Sequence, residues 1–373
     1  MKKRLAVWTF GGLGTGHFSQ GYQVLEQLLN GLSQTLEIVV YTRSCPDKGF
    51  INENFRIRSA PPKISNSILR WTFLLSYFLF DFTKKKFHIS LAFWGWPSGW
   101  IATVLGKILG IPTAVYVLGA DAAGIESINF GIFHRPWLRK MARWTYTQTQ
   151  LLLSISHYQR DQLSAFGIDR SICVIPWGAD SSQYIFETKD ENDVIHFIHV
   201  GHLSPVKDQV TLLKAFALIN KSQLSELRIF GTDCMNGEIQ RLSRDLGIEK
   251  SVAFLDMVPY HEMPKHYRWA DIMLHTSLSE GQSMALTEAA ASGVLMAGTP
   301  VGLLYDLKDG GGITVDPGDY EALAKKVLYV LKDRVAWDRN IHRARAWSEQ
   351  HNLEWTIKEL AKQLNKLLAE QNA

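Results

Sequence analysis

The chain has 373 residues, of which 46% are apolar, so it is long and hydrophobic enough for two or three globular domains. This composition excludes a disordered or collagen-like chain. The three cysteines, Cys45, Cys173 and Cys234, lie far apart and form neither a disulfide framework nor a metal-ligand motif. We therefore expect a reducing, cytoplasmic environment.

The net charge of +4 is unevenly distributed along the chain. Residues 1–190 contain 20 Lys and Arg against 12 Asp and Glu, and residues 191–373 contain 20 against 24, so the halves have net charges of +8 and −4. A basic half can attract nucleic acid, anionic lipid or a phosphorylated substrate, and the alternative is a basic surface that only faces solvent.

No segment is expected to direct export or to cross a membrane. The amino-terminal apolar run Leu5–Phe10 is shorter than a signal peptide requires. The run Phe87–Gly106 is uncharged but is interrupted by glycines and a proline, and Trp71–Phe82 is short and contains Asp81.

Short apolar segments alternate with helix-length periodic segments along nearly the whole chain. The predicted strands are Arg4–Thr9, Glu37–Tyr41, Ile89–Phe93, Thr113–Leu118, Leu151–Ile155, Ile172–Ile175, Val194–Val200, Glu226–Phe230, Val252–Leu255, Ile272–His275 and Val294–Ala297. Helices are predicted between them, including Phe18–Leu32, Ser98–Leu109 and His157–Phe166. This alternation implies parallel sheets with helices on both faces, so we predict an α/β fold with two doubly wound domains facing across a cleft.

A polar stretch at Asp180–Asp193, where the charge balance changes sign, marks the predicted domain boundary. We place the first domain at residues 1–185 and the second at residues 186–350. Residues 351–373 form a predicted helix with one apolar stripe, which is expected to pack back on the amino-terminal domain. Ligands of such sheets bind at the carboxyl ends of the strands.

The first predicted strand leads into a glycine-rich loop that begins at Gly11 and ends at Gly16 and His17, and then into a helix. Glycines in this place let the backbone approach a phosphate, and the helix N-terminus supplies N–H donors. The spacing matches neither a nicotinamide-cofactor loop nor a Walker A loop. We predict that Gly12, Gly14, Gly16 and His17 contact a donor phosphate, with a tight strand-to-helix turn as the alternative.

A second candidate site follows a strand of the second half. The loop there contains Glu280, and a helix is predicted to begin near Ser283, a good N-cap residue, and to end at Gly293. Its first amides, at Ser283 and Met284, would suit an anion. Glu288 lies about 7.5 Å further along the helix axis, which is the reach from a diphosphate to its ribose. The alternative is a pair of glutamates on a solvated helix end.

A third candidate follows the first strand of the second half. Lys207 is expected near a helix N-terminus, where a cation opposes the helix dipole unless a negatively charged ligand is present. His202 could donate to the same phosphates, although a lone histidine after a strand is more often packed or solvated.

Together these segments resemble the glycosyl transferase group 1 proteins, or glycosyltransferase family 4, over nearly the whole chain. Glu280 and Glu288 match the E-x7-E motif of that family, and Lys207 matches the lysine of its G-R-L-x-x-x-K-G segment. The run Gly293–Gly302 and Asp271, in an Ala-Asp strand, are also similar to the family pattern.

The resemblance implies a GT-B fold with two Rossmann-like domains and transfer with retention of anomeric configuration. It further implies that Lys207 binds the diphosphate of a nucleotide sugar, that Glu288 holds the ribose and that Glu280 holds the sugar. Neither a metal nor another cofactor is expected. Two positions depart from the family pattern, because His202 replaces an arginine and Leu118 replaces the histidine that precedes Gly-x-Asp, here ending in Asp121.

We therefore predict a glycosyltransferase of glycan, polysaccharide or glycolipid biosynthesis, with a glycan or lipid-linked acceptor and no nucleic-acid partner. The predicted catalytic residues are Glu280, Lys207 and Asp121. The predicted donor-binding residues are Gly12, Gly14, Gly16, His17, His202, Lys207, Ser283, Met284 and Glu288. The alternatives are a sugar-nucleotide epimerase of similar fold and a catalytically silent nucleotide-sugar-binding relative.

An aromatic segment of the first half suggests contact with an anionic membrane, at its inner face. The segment Trp71–Phe80 is flanked by Arg70 and Lys84–Lys86, a composition typical of interfacial helices. A buried helix of the core is the alternative. A second basic cluster with helical spacing could share the surface; it consists of Arg135, Arg139, Lys140 and Arg143.

Overall fold

The computed structural model describes residues 2–15, 18, 21–186 and 193–371, and the predicted ligands Gly16 and His17 lie outside these residues. The described residues divide into two compact units. The first comprises those of 1–155, 159–176 and 353–373, and the second those of 156–158 and 177–352. The chain enters the second unit after Pro176, nine residues before the boundary drawn from the sequence. The physical reason is that Ala179 and Tyr184 are buried in the core of the second unit.

The first unit has a parallel sheet of seven strands in the described residues. The strands are β1 (Lys3–Thr9), β2 (Leu36–Thr42), β3 (Arg56–Ser59), β4 (Ile89–Phe93), β5 (Thr113–Val117), β6 (Leu151–Ser154) and β7 (Cys173–Val174), in the order β3-β2-β1-β4-β5-β6-β7. The helices are α1 (Gln23–Ser33), α2 (Ser67–Lys84), α3 (Trp100–Leu109), α4 (Pro136–Gln148), α5 (His157–Ala165) and the later α13 (Leu353–Glu370).

Helices α2, α3 and α4 cover the same face of this sheet. Buried side chains from all three share one hydrophobic cluster with strands β1, β2, β4 and β5, for example Trp71 of α2, Ile101 of α3 and Tyr146 of α4. Helix α13 packs against α1, as expected from its apolar stripe.

A buried carboxylate ties α2 to the sheet. Asp81 is 2% exposed, and it accepts hydrogen bonds from Tyr41 Oη at 3.0 Å and from Arg58 Nε and Nη2 at 3.0 and 2.7 Å. Arg4 donates to the main-chain carbonyl of Asp81 at 2.9 Å. Although burial acts to raise the pKa of Asp81, the hydrogen bonds and charges of these partners lower it below its usual value.

The second unit has a parallel sheet of six strands in the part of the chain that the structure describes. The strands are β8 (Ile195–Val200), β9 (Ser225–Phe230), β10 (Val252–Leu255), β11 (Ile272–His275), β12 (Leu295–Gly298) and β13 (Ile313–Thr314), in the order β10-β9-β8-β11-β12-β13. The helices are α6 (Gln209–Asn220), α7 (Glu238–Asp245), α8 (Met263–Trp269), α9 (Met284–Ala291), α10 (Leu303–Asp306), α11 (Tyr320–Lys332) and α12 (Arg334–Gln350).

Two doubly wound parallel sheets are therefore confirmed. Two short strands were missed: β3 contains two arginines among its four residues, and β13 has only two residues and directly follows three glycines. The first helix begins at Gln23 and not at Phe18, so its N-terminus does not directly follow the glycines. Among the described residues, no helix combines the length and the apolar character needed to span a bilayer.

Candidate functional site

An ion pair lies at the carboxyl ends of two neighbouring strands of the second unit. Lys207 ends a short turn after β8, and Glu280 lies in the loop after β11, with Lys207 Nζ 2.5 Å from Glu280 Oε1. Thr276 fixes the turn because its hydroxyl donates to the carbonyls of Lys207 and Asp208 at 3.1 and 2.8 Å. Both charged side chains are partly buried, so their interaction is screened less than that of a surface pair.

Two buried histidines lie close to this ion pair. His275, the last residue of β11, is fully buried, and its Nε2 is 3.3 Å from Glu280 Oε1. His199 of β8 donates from Nδ1 to the carbonyl of Leu274 at 2.9 Å and accepts at Nε2 from Gln209 at 3.1 Å. Burial lowers the pKa of His275 and lowers that of His199 to about 3, so both rings are neutral.

The partners of Glu280 determine its charge state. Burial acts to raise the pKa of Glu280, but the charge of Lys207 and the contact with His275 outweigh it and hold the pKa well below its usual value. Glu280 is therefore a carboxylate at neutral pH, able to accept hydrogen bonds but not to supply a proton.

The helix that follows begins where the sequence predicts it, at Met284, with Ser283 at the N-cap. Ser283 has a φ of 72°, and its side chain makes no capping hydrogen bond. A positive φ at a residue other than glycine is strained and needs support from its surroundings. Gln282 supplies that support, because its side chain exchanges two hydrogen bonds of 2.8 Å with the main chain of Trp177.

The second glutamate lies among tyrosines. Glu288 is 5% exposed and accepts a hydrogen bond of 2.9 Å from Tyr267 Oη. The rings of Tyr184 and Tyr267 pack edge to face, and those of Tyr184 and Tyr260 do so as well. Burial raises the pKa of Glu288 to about 7, although hydrogen bonds from the tyrosines act to lower it.

This raised pKa predicts how stability depends on pH. The native state binds the Glu288 proton more tightly than the unfolded chain, so the extra stability is present at acidic pH and is lost as the pH rises toward 7. Between pH 5 and pH 8 the free energy of unfolding should fall by about 2 to 3 kcal/mol from this group. Urea denaturation at both pH values measures it, with Glu288→Gln, which keeps the acceptor but does not titrate, as the control. Equal pH dependence of the two proteins would contradict the assignment.

The remaining predicted residue of the second unit, His202, is exposed. Its Nδ1 accepts a hydrogen bond of 3.2 Å from the main-chain N–H of Thr232. In the neutral ring the proton is therefore on Nε2, which can act as a donor. The main-chain carbonyl of His202 accepts a hydrogen bond from the side chain of Gln209. Gln209 is buried, and it therefore also positions this loop.

The glycines of the first unit make room for aromatic rings. A Cβ on Gly12 would lie 2.3 Å from the ring of Tyr22, and one on Gly14 would lie 2.2 Å from the ring of Phe50. Both glycines have a positive φ, of 91° and 56°. The role of these glycines in phosphate binding stays a prediction, but the helix N-terminus that was expected next to them begins only at Gln23.

The carboxylate of Asp121 accepts hydrogen bonds from main-chain amides of the first unit. It is 3% exposed, its Oδ2 accepts from the N–H of Gly95 at 2.8 Å, and its Oδ1 accepts from the N–H groups of Leu118 and Gly119 at 3.2 and 2.8 Å. Burial raises the pKa of Asp121 against these hydrogen bonds. The carboxyl group thus joins the loops after β4 and β5, and a direct catalytic role would require it to leave these amides.

Several neighbours of the site were not predicted from the sequence. They are His199, His275, Gln209, Gln282 and Tyr267. The two histidines carried a usable signal, because each lies at or near the carboxyl end of a predicted strand. Within the described residues, no group of three or more His, Cys, Asp or Glu side chains is arranged to hold a metal ion.

Comparisons with known proteins identify the family of this chain. Residues 180–350 match the family model for glycosyl transferases group 1, and residues 23–183 match that for glycosyltransferase family 4. A D-inositol 3-phosphate glycosyltransferase from Corynebacterium jeikeium is 29% identical over 62% of this chain and 62% of its own length. A GDP-mannose-dependent phosphatidylinositol monomannoside mannosyltransferase from Mycolicibacterium smegmatis is 27% identical over 53% of this chain and 57% of its own length. The matches thus span less than two thirds of these relatives.

Solved structures show the same fold at low identity. Sucrose-phosphate synthase from Thermosynechococcus elongatus has a TM-score of 0.82 at 17% identity, covering 99% of this chain and 100% of its own. Anabaena HepE in complex with UDP and glucose has a TM-score of 0.75 at 17% identity, covering 98% and 100%. Both are GT-B structures, and the GT-B fold is confirmed. Because the two family models together cover residues 23–350, the chain belongs to the group 1, or family 4, glycosyltransferases.

Proposed function

We propose that this chain transfers a sugar, with retention of configuration, from a nucleoside diphosphate to a hydroxyl of a glycan or lipid-linked acceptor. The observation that carries the proposal is the Lys207–Glu280 pair beside the N-terminus of α9. Relatives named for inositol phosphate and mannosyl transfer, and a neighbour in complex with UDP and glucose, support the substrate class.

In this proposal, different residues of the second unit contact different parts of the donor. Lys207 and the first amides of α9 contact the diphosphate, and they stabilise the negative charge that grows on it as the glycosidic bond breaks. Glu280, held ionised, accepts from hydroxyls of the sugar. Glu288 accepts from the ribose hydroxyls, and these hydrogen bonds are strongest when its carboxyl group is deprotonated.

The reaction needs no external base or metal in this proposal. The bond between the anomeric carbon and the diphosphate oxygen breaks, and the acceptor oxygen bonds to the same carbon on the same face. The acceptor proton passes to the departing diphosphate. The chain contributes by holding both substrates in reacting geometry and by stabilising the leaving group.

A donor panel tests this function. UDP-glucose, UDP-galactose and GDP-mannose are incubated with the protein and dodecyl glycosides or phosphatidylinositol, with and without EDTA, and the anomeric configuration of the product is determined by NMR. We expect one donor to give a retained product that is insensitive to EDTA. A new sugar nucleotide formed without acceptor would indicate an epimerase, and tight donor binding without turnover would indicate a silent relative.

We place the acceptor on the basic first unit, at an anionic membrane surface. The outward face of α2 is apolar, with Ile68 74%, Leu69 52% and Phe80 51% exposed. On α4, Trp137 is 60% exposed, and residues 63–148 contain ten Lys and Arg against three Asp and Glu. Since α2 and α4 cover the same sheet face, these groups belong to one layer. Aromatic and cationic side chains together are typical of interfacial surfaces.

Flotation with liposomes measures this contact. Lys84 and Lys86 are changed together to Glu, and Lys85 is left in place because it pairs with Glu37. At low salt the bound fraction on anionic vesicles should fall at least about tenfold, because each lysine near such a surface contributes about 1 kcal/mol. High salt should weaken binding of the unchanged protein.

The charge-matched control for flotation changes two exposed lysines of α13, Lys358 and Lys366, to Glu. This control should bind like the unchanged protein. Equal binding of all three proteins to anionic vesicles would refute the membrane surface.

A further inference from the structure

The direction in which successive strands are added to the first sheet reverses between β1 and β4. From β1 the chain moves outward to β2 and β3, and it then returns to β4 on the other side of β1. In open α/β sheets the crevice outside the carboxyl ends at such a point is where ligands bind. Tyr22 directly precedes α1, which is the next helix after β1, and Trp94 directly follows β4.

Two aromatic rings lie together at this point. The ring centroids of Tyr22 and Trp94 are 5.6 Å apart, with an angle of 44° between the ring planes. Tyr22 is 55% exposed, and Trp94 is partly exposed. Aromatic side chains of this size are usually buried, because each removes a large apolar area from water.

Trp94 has a backbone conformation that is unfavourable for a bulky residue. Its φ is 66° and its ψ is 137°, in a region that glycine normally occupies. Hydrogen bonds on both sides hold it there, because the Trp94 N–H donates to Tyr116 at 2.9 Å and the Gly95 N–H donates to Asp121 at 2.8 Å. The Trp94 carbonyl accepts from Ser98 Oγ at 3.0 Å. Strain that is held in this way is typical of ligand sites.

A main-chain hydrogen bond also fixes the position of Tyr22. Its N–H donates to the carbonyl of Gly12 at 2.8 Å, and its ring occupies the space that a Cβ on Gly12 would need. Main-chain hydrogen bonds therefore fix the positions of both Tyr22 and Trp94.

We propose that Tyr22 and Trp94 form a stacking platform for a pyranose ring of the acceptor. The faces of the rings carry partial negative charge, and the C–H groups on one face of a pyranose carry partial positive charge, so stacking pairs them without a specific hydrogen bond. The acceptor class is then a glycoside with one apolar ring face. In this proposal Asp121 is a positioning residue, which fixes Gly95 and with it the orientation of Trp94. The identification of the ring as part of an acceptor rests on the proposed function.

Saturation-transfer difference NMR on the full chain tests the platform. The probes are methyl β-D-glucopyranoside and methyl α-D-mannopyranoside, with the linear polyol sorbitol as a compound that lacks a ring face. We expect signals on the ring C–H protons of at least one pyranoside and none on sorbitol. In Trp94→Gly, which removes the ring and relieves the positive φ, and in Tyr22→Leu, the signals should fall by roughly tenfold. Tyr22→Phe should keep them.

The matched control is Tyr329→Leu, which removes a tyrosine of the second unit that is 65% exposed. Far-UV circular dichroism and urea denaturation monitor the fold of every variant. Signals that persist in the Tyr22→Leu and Trp94→Gly double variant, or that are absent from the unchanged protein for both pyranosides, would overturn the platform. Absence of transfer in the donor panel together with intact pyranoside signals would count against the proposed function only.

Discussion

Replacing Lys207 by alanine is expected to lower kcat/KM by roughly 100- to 1000-fold, with most of the loss in kcat. In the proposed function, negative charge grows on the diphosphate as the glycosidic bond breaks, so its interaction with the lysine is stronger in the transition state than in the bound donor. Steady-state kinetics with the donor identified in the panel measures the effect. A rise in KM alone would mean that the lysine only binds the donor.

The same variant should also lose stability, because Glu280 is left without its cation in a partly buried position. Breaking such a pair costs about 3 to 5 kcal/mol, and the double variant Lys207→Ala with Glu280→Gln should recover most of it. Recovery of stability in the double variant would show that the loss in Lys207→Ala comes from the unpaired charge of Glu280. As a control, Lys265→Ala removes one member of an exposed pair and should change neither property.

The second large effect is expected from Asp81→Ala in the first unit. The substitution leaves Tyr41 and Arg58 without the acceptor that both use, and it removes a link between α2 and the sheet. We expect the free energy of unfolding to fall by about 3 to 5 kcal/mol. Because the native pKa of Asp81 is lowered, the stabilisation is present above the unfolded pKa and is lost as the pH falls through the native value.

Urea denaturation of the unchanged protein and of Asp81→Ala, at pH 7 and at a pH well below 3.8, measures this contribution. Asp338→Ala, which removes an exposed partner of Arg334 on α12, is the control and should change stability by less than about 0.5 kcal/mol. A similar small change for Asp81→Ala would show that the buried network does not hold α2 in place.

The order of strands and helices could be predicted because buried parallel strands are continuous apolar runs. Ile89–Phe93, Val252–Leu255 and Ile272–His275 were predicted with the bounds that the structure shows. The start of the first helix was predicted wrongly, at Phe18 instead of Gln23. The strand β3 contains two arginines in four residues, so its pattern does not resemble that of a strand.

The candidate site was predictable only in part. Lys207 and Glu280 lie 73 positions apart, and the structure brings them to 2.5 Å. What could not be predicted is which neighbours surround them. Nothing in the local pattern indicates that Tyr267 bonds to Glu288, or that Asp121 bonds to the amides of another loop, because such contacts depend on the packing of elements that are distant in sequence.

The contact between α13 and α1 has a consequence for how the protein is made. Ile357 of α13 occupies the space next to Gly31 of α1, and Leu360 and Leu364 are fully buried. On the ribosome, the whole sequence of the second unit, residues 177–352, emerges before this helix does. The unit that is translated first is therefore completed last, and until then the apolar surface that α13 covers is open to chaperones and to aggregation.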